Sequence, residues 1–283
     1  MNHEGRGCSD PSGKRLATIE LVRDTTYTRL RRAARRLLRR ARRMPPWGRA
    51  LVAVAALAAA GVGWQLARKP TEVLAVVVPS APRTPARTWE DYRSLFEANA
   101  TAVVRPELLA ALAQAESGGD PLASPPWTLR WSANPLDLYG PASSAVGLLQ
   151  MTDGNLQDAS HLCVLDHEVA HAGEWRGLRP CWATGLRARI IPAHSIEMTA
   201  AWLDESVRQI VAAQRIRKLT PERQRRLAAV VHLCGKARAA EYARRGFWFA
   251  PGERCGEHDV AQYVARVDSL ARTFAGMAQR GGR

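Results

Sequence analysis

The chain has 283 residues, 41 Lys or Arg against 26 Asp or Glu, and a formal net charge of +15, a length that suits one sizeable domain plus extra segments. The charge is uneven, because residues 1–49 hold 14 Lys or Arg against 4 Asp or Glu, two thirds of the whole excess. The remainder is only mildly basic, which excludes a domain that is basic throughout, and nucleic acid is not its expected partner.

The arm contains Arg29-Leu-Arg-Arg-Ala-Ala-Arg-Arg-Leu-Leu-Arg-Arg-Ala-Arg-Arg43, in which Leu30, Ala33, Ala34, Leu37, Leu38 and Ala41 make a narrow apolar stripe. A basic amphipathic helix of this kind suits an anionic membrane surface, with nucleic acid as the competitor. Pro45-Pro46 breaks it. Residues 50–67 are then almost wholly apolar and uncharged, with Gln65 near the end, at the short limit for a membrane span. The arginines before them predict an N-terminus inside and the rest outside. Two alternatives stand beside this transmembrane signal anchor. One is a buried core helix, and the other is a signal peptide starting at Met44 and cut after Ala60. With an anchor or a signal peptide, the rest of the chain is exported. Residues 68–88, with their prolines, read as an extended spacer, and residues 89–283 as the exported domain.

Cys8 stands alone in the arm, whereas Cys163, Cys181, Cys234 and Cys255 lie in the exported part. An even number in an oxidising compartment allows disulfides, in three possible pairings. Cys163–Cys181 and Cys234–Cys255 are favoured because each closes a loop between helical segments, worth about 3 kcal/mol in the loop-entropy picture. Buried free thiols are the alternative, and the spacing does not argue for zinc.

Within the domain, residues 89–103 read as a helix with Tyr92, Phe96 and Ala100 at four-residue spacing. After Pro106, Leu108, Leu109, Leu112 and Ala115 recur at helical spacing, and Pro suits a first turn. Glu116 lies four residues after Leu112 and seven after Leu109, so it shares the apolar face. Ser117-Gly-Gly119 ends the helix where left-handed backbone is cheap. A lone inward carboxyl at a helix end meets a burial penalty on its charged form, which suits a general acid. The plain alternative is a solvated Glu in the last turn. Next comes a Pro- and Trp-rich stretch over residues 120–140. Its Trp127, Trp131 and Tyr139 are either stacking platforms for a ligand's apolar face or plugs that fasten the stretch down. Ser143-Ser-Ala-Val-Gly-Leu-Leu-Gln-Met151 then reads as a tight Gly turn opening an apolar helix, with Gln150 presenting an amide beside the carboxyl.

His167-Glu-Val-Ala-His171 matches H-E-x-x-H, in which two imidazoles on one helical turn hold zinc and the Glu is the base. A catalytic zinc needs a third protein ligand. Glu174 is too close, and Glu197 is far enough along to serve. A zinc peptidase is therefore the rival enzyme, although no long apolar helix frames the motif, and no metal is expected. Residues 194–204 open an amphipathic helix with Ile196, Ala200 and Leu203 facing in. Glu197 lies on that helix, either at the groove as a second carboxylate or on the helix surface.

Together, "PELLAALAQAESGGDP" and "SSAVGLLQM" resemble the lytic transglycosylase domain of the soluble-type (SLT), goose-lysozyme-like family. Its signature is an E-S-G-G-x-P-like helix end followed by a G-A-x-G-L-M-Q-like turn. The resemblance covers residues from about 89 to 267 and implies an all-α, lysozyme-like helical domain behind the N-terminal membrane segment. It makes Glu116 the catalytic residue and puts Ser117, Gln150 and Met151 in the sugar groove. Family members place the Gln closer to the Glu, so residues 120–140 look like an insertion at the groove. Ser195-Ile196 stands where the family has a polar residue and Ile. Val231-His-Leu-Cys-Gly235 fills the place of A-Y-N-A-G, so His232 replaces the Tyr as a hydrogen-bonding group, whereas Leu233 cannot do what Asn does. Pro141, where many relatives carry Ser, is a second departure. Gln262-Tyr-Val-Ala-Arg-Val267 resembles the Y-V-x-x-V helix and puts the Tyr263 hydroxyl by the catalytic carboxyl.

The implied activity is cleavage of peptidoglycan between N-acetylmuramic acid and N-acetylglucosamine, leaving a 1,6-anhydro end, with no cofactor. The implied partners are glycan strands and the bacterial inner membrane, together with envelope secretion or conjugation machinery. The domain then lies in the periplasm. The alternative from a different class is a non-catalytic wall-binding module that anchors an envelope assembly.

Overall fold

A computed structural model describes residues 45–68, 81–125, 127–129, 139–141, 143–177, 179–181 and 189–281. The basic arm up to residue 44, most of the expected spacer, and Trp131 lie outside the described residues. The chain divides into two compact units, Met1–Trp64 and Gln65–Arg283.

Helix α1, Pro46–Arg68, carries the apolar run. Its large side chains, Leu51, Val54 and Leu57 among them, are exposed. Among the described residues no helix is long and apolar enough to cross a membrane. The side chains of Val62 and of residues 65–68 lie outside the described residues.

The second unit is mostly helical. Its helices are α2 (Pro85–Ala98), α3 (Pro106–Ser117), α4 (Asp153–Ala159), α5 (Pro192–Ala213), α6 (Pro221–Arg244) and α7 (Val260–Gly281). All but α4 and α7 start on a proline, where the missing N–H costs nothing. Among the described residues, four antiparallel pairs of short strands fill the connections. They are β1 (Trp127–Leu129) with β2 (Tyr139–Pro141), β3 (Leu162–Leu165) with β4 (Glu168–His171), β5 (Trp175–Arg176) with β6 (Arg179–Pro180), and β7 (Arg254–Cys255) with β8 (His258–Asp259).

Helix α3 lies at the centre, packed chiefly against α7 and α2. Leu108, Leu109, Ala110, Ala111, Leu112 and Ala113 are all buried, as a helix covered on every side requires. Around it pack Phe96 of α2, Ile196, Ala200 and Leu203 of α5, Val231 of α6 and Phe274 of α7, each at 0% exposure. Trp89 bridges two of these, its ring 6.3 Å from Phe96 and 5.7 Å from Phe274.

Two helix limits differ from the expected ones for local reasons. Helix α2 starts at Pro85, inside the expected spacer, because Thr84 caps it by accepting the Arg87 N–H at 3.3 Å. It ends at Ala98, short of residue 103, because Thr101 Oγ1 takes the N–H groups of Val103 and Val104 at 3.2 and 2.9 Å. That side-chain turn competes with another helical turn.

The four cysteines pair as favoured: Cys163 is bonded to Cys181 and Cys234 to Cys255, with Cα separations of 5.6 and 5.4 Å. Cys163 and Cys181 share a small apolar cluster of their own with Leu165 and Ala170, under the β3–β4 hairpin.

Candidate active site

Glu116 closes α3. Gly118 caps the helix in the left-handed conformation, φ 62°, as the Ser-Gly-Gly stretch predicts. A side chain at Gly119 would lie 2.0 Å from Thr88 Oγ1, so the backbone after α3 packs directly on the Thr88 side chain of α2.

The neighbours of Glu116 in its motif hold this end in place. Gln114 accepts the Thr88 hydroxyl at 2.8 Å and donates to the Arg83 carbonyl at 3.0 Å. The Arg83 N–H donates to the Gly118 carbonyl at 2.7 Å. Asp120 takes the N–H groups of Ala81 and Leu122 at 3.1 and 2.9 Å. Ser117 Oγ lies 2.9 Å from the Ala113 carbonyl and 2.7 Å from the Leu148 carbonyl. Expected at the sugar groove, Ser117 instead gives its one proton to backbone and ties α3 to the downstream turn.

The helix expected after Gly147 does not form. Residues 147–150 make a closed turn, Val146 and Met151 pair in an antiparallel bridge, and Gly147 and Gln150 adopt φ 84° and 46°. Left-handed backbone is costly for Gln, and here its own side chain holds it. Gln150 Nε2 donates to the carbonyls of Ala123 and Gly147, both at 2.9 Å. Leu148 and Leu149 are both fully buried. Met151, expected at the groove, is 2% exposed and belongs to the core.

Arg189 explains why the turn wins over the helix, and sequence reasoning missed it. Arg189 is only 8% exposed. Its Nη1 donates to the carbonyls of Ser144 and Met151 at 2.5 and 2.9 Å, and Nη2 pairs with Asp153 at 2.8 Å. Those carbonyls would otherwise accept from helical N–H groups. A side chain at Gly147 would lie 2.2 Å from the Arg189 carbonyl oxygen. No local pattern announces a partner 38 residues away.

Two groups converge on one oxygen of Glu116. The Tyr263 hydroxyl donates to Oε1, and His232 Nε2 lies 3.5 Å from the same atom. Glu116 Oε2 makes no hydrogen bond among the described residues. The Glu116 side chain is 19% exposed and that of His232 only 5%. Burial pushes the His232 imidazole below its usual value, against the opposing pulls of the Glu116 charge and the Leu149 carbonyl. Burial, the Glu116 charge and the shared hydrogen bond together push the Tyr263 phenol well above 10.0. Near neutral pH, Tyr263 is therefore a firm donor and His232 a neutral ring. Arg266 acts on the Tyr263 phenol in the opposite direction and lowers it. Leu233, beside His232, packs against the core.

The remaining candidates lie elsewhere. Glu197 accepts the Val164 N–H at 3.2 Å, which fastens β3 to α5. Ser195 is fully buried. Trp127 and Tyr139 lie on paired strands, in register with Pro141 and Leu129 respectively, but their side chains are outside the described residues. The H-E-x-x-H segment is not helical: Glu168–His171 is strand β4, and His167 is in the turn before it. Four residues of strand span about 13 Å, too far for His167 and His171 to share one ion. His167 Nδ1 bonds the Ala100 carbonyl at 2.9 Å, and Glu168 pairs with Arg176 at 2.6 Å. Among the described residues no three or more His, Cys, Asp or Glu are grouped to hold a metal. The geometry on which the zinc peptidase reading depends is not formed.

A cavity of about 340 Å³, lined in part by Arg105, Leu108, Arg225 and Ala271, opens at the start of α3. Eleven helical residues, or about 16 Å, separate that end from Glu116.

No family model and no curated protein matches the chain. The reading of this site therefore stands on its own geometry and on the two motifs.

Proposed function

We propose that this chain is a lytic transglycosylase that cleaves peptidoglycan strands between N-acetylmuramic acid and N-acetylglucosamine. One observation carries the reading: Glu116 has Tyr263 and His232 both on Oε1, leaving Oε2 for a substrate. Most glycosidases need two carboxylates. In the transglycosylase family that the two motifs resemble, one is enough. Glu116 gives its proton to the glycosidic oxygen as the bond to C1 breaks. The C6 hydroxyl oxygen of the same muramic residue then attacks C1, and Glu116 takes back the hydroxyl proton as the 1,6-anhydro ring closes. Tyr263 and His232 are positioning residues that orient the carboxyl throughout.

Glu116→Gln is the direct test. Gln is nearly isosteric but cannot give and retrieve a proton, so release of 1,6-anhydromuropeptides from sacculi should fall at least about a hundredfold. Circular dichroism should be unchanged. Equal activity in the variant removes Glu116 from the mechanism, and products with reducing ends make the protein a hydrolase.

A second reading keeps the fold without turnover, as a wall-binding module, and Leu233 in place of the family's Asn favours it. Sacculi that bind the protein yet release nothing would select it.

We further propose that α1 anchors the domain in the inner membrane, with the basic arm on the cytosolic side and the domain in the periplasm. The exposed Leu51, Val54 and Leu57 support this, because a lipid phase accepts such side chains and water does not. The protein should stay with membranes through alkaline carbonate washing, and its release into the wash would refute the anchor.

A further inference from the structure

His232 and Tyr263 reach Glu116 from different helices, and one covalent bond joins the segments that carry them. Helix α6 breaks at Gly235, φ 78° and ψ 168°, three residues after His232. Cys234 sits between His232 and that break, bonded to Cys255 in β7. The β7–β8 hairpin pairs Arg254 with Asp259 and Cys255 with His258, then runs straight into α7 at Val260. Tyr263 is in the first turn of α7, and the His258 ring lies 6.3 Å from its ring. The approach to the hairpin is held as well. Glu253 pairs with Arg245 at 2.7 Å, and its carbonyl takes the Val260 N–H at 3.0 Å.

A helix broken at a glycine loses the hydrogen bonds that would fix the preceding turn. The disulfide supplies a constraint where those bonds are missing. It sets the kink of α6 against the start of α7, and so sets the two side chains on Oε1 against each other.

We propose that Cys234–Cys255 is a positioning element of the active site, holding His232 and Tyr263 together on Glu116, whereas Cys163–Cys181 only stabilises the fold. This rests on the reading of Glu116 as the catalytic acid and base. The second disulfide is a natural control. It closes a loop of similar size, 18 residues against 21, so removing either should cost comparable stability. It belongs to the separate apolar cluster under β3–β4.

The test compares Cys234→Ser/Cys255→Ser with Cys163→Ser/Cys181→Ser in the full-length chain, below both melting transitions. Both pairs should lower Tm by similar amounts. Only the first should lose turnover, at least about tenfold in kcat on sacculi with little change in KM, because misplacing a reacting group by about an ångström costs this much or more. In the first variant alone, the His232 ring proton followed by NMR should titrate higher, nearer the usual histidine value, as the ring gains water.

If Cys234→Ser/Cys255→Ser does not fold, the same bond is opened in folded Cys163→Ser/Cys181→Ser. A dithiol reductant gives two electrons and two protons to the sulfurs, leaving two thiols as the reagent closes to its own disulfide. Turnover should again fall. Full activity without Cys234–Cys255, or equal loss from both disulfides, overturns the proposal. Should the wild type release no glycan, the functional reading fails. The NMR titration then decides alone, and an unmoved His232 overturns the positioning role.

Discussion

Gly147→Ala puts one methyl group against backbone at the turn that Ser117 ties to α3. The backbone there has φ 84°, and the new Cβ would lie 2.2 Å from the Arg189 carbonyl oxygen. Real Cβ atoms do not approach backbone so closely, so either the turn or the residue 189 segment must shift. Left-handed backbone costs an alanine about 1–2 kcal/mol, and a forced backbone shift costs about 1–3 kcal/mol. The sum is about 3 kcal/mol, or roughly 6–12 °C in Tm for a unit of this size. The shift would also pull on the Ser117–Leu148 contact and on Gln150, so glycan release should fall with it. Gly154→Ala is the control, since its Cβ would meet nothing within 4 Å. There, in α4, the change should be neutral or stabilise by up to about 1 kcal/mol. Calorimetry and sacculus digestion on both variants read these effects. A Gly147→Ala protein melting within about 2 °C of wild type would refute the reasoning.

The other predictions address the carboxyl and its setting. Glu116→Gln should abolish release of anhydro products while leaving the fold intact, and membrane retention and the two disulfide variants test the anchor and the staple. His232 should also mark the pH dependence of stability. Its folded value lies below the ordinary 6.5, so its contribution is fully present above pH 6.5 and is lost as pH falls toward the folded value. Urea unfolding at pH 7 and pH 5 should therefore show a larger loss for wild type than for His232→Gln, and equal losses would remove His232 as the cause.

Local signals were legible in the sequence where the structure follows them. The Leu108, Leu109 and Leu112 spacing, Pro106 and the two glycines after Ser117 all act within one helix, and they put Glu116 where the structure has it. The cysteine pairs were legible because each closes a short loop. Tyr263 and His232 came only from the motif resemblance, since no spacing brings residues 147 and 116 positions away onto one oxygen. Strand β4 was hidden because five residues of H-E-x-x-H carry no frame of their own, and pairing with Leu162–Leu165 decides the conformation. The turn at Gly147 was read as a helix because Arg189, which takes the flanking Ser144 and Met151 carbonyls, lies far along the chain. The start of α2 was a missed local signal, since Thr84-Pro85 is an ordinary helix opening.

The state of the Gln150 amide limits what its side chain can recognise. Both hydrogens of its amide are engaged by the Ala123 and Gly147 carbonyls, which also fixes which end of the amide is nitrogen. The end left over is an oxygen with lone pairs and no proton to offer. Such a group welcomes an N–H or O–H and repels a carboxylate or a bare carbonyl. An acetamido nitrogen carries that hydrogen, so on the proposed function the Gln150 oxygen suits the N-acetyl group of an amino sugar and offers nothing to a ligand's acidic side.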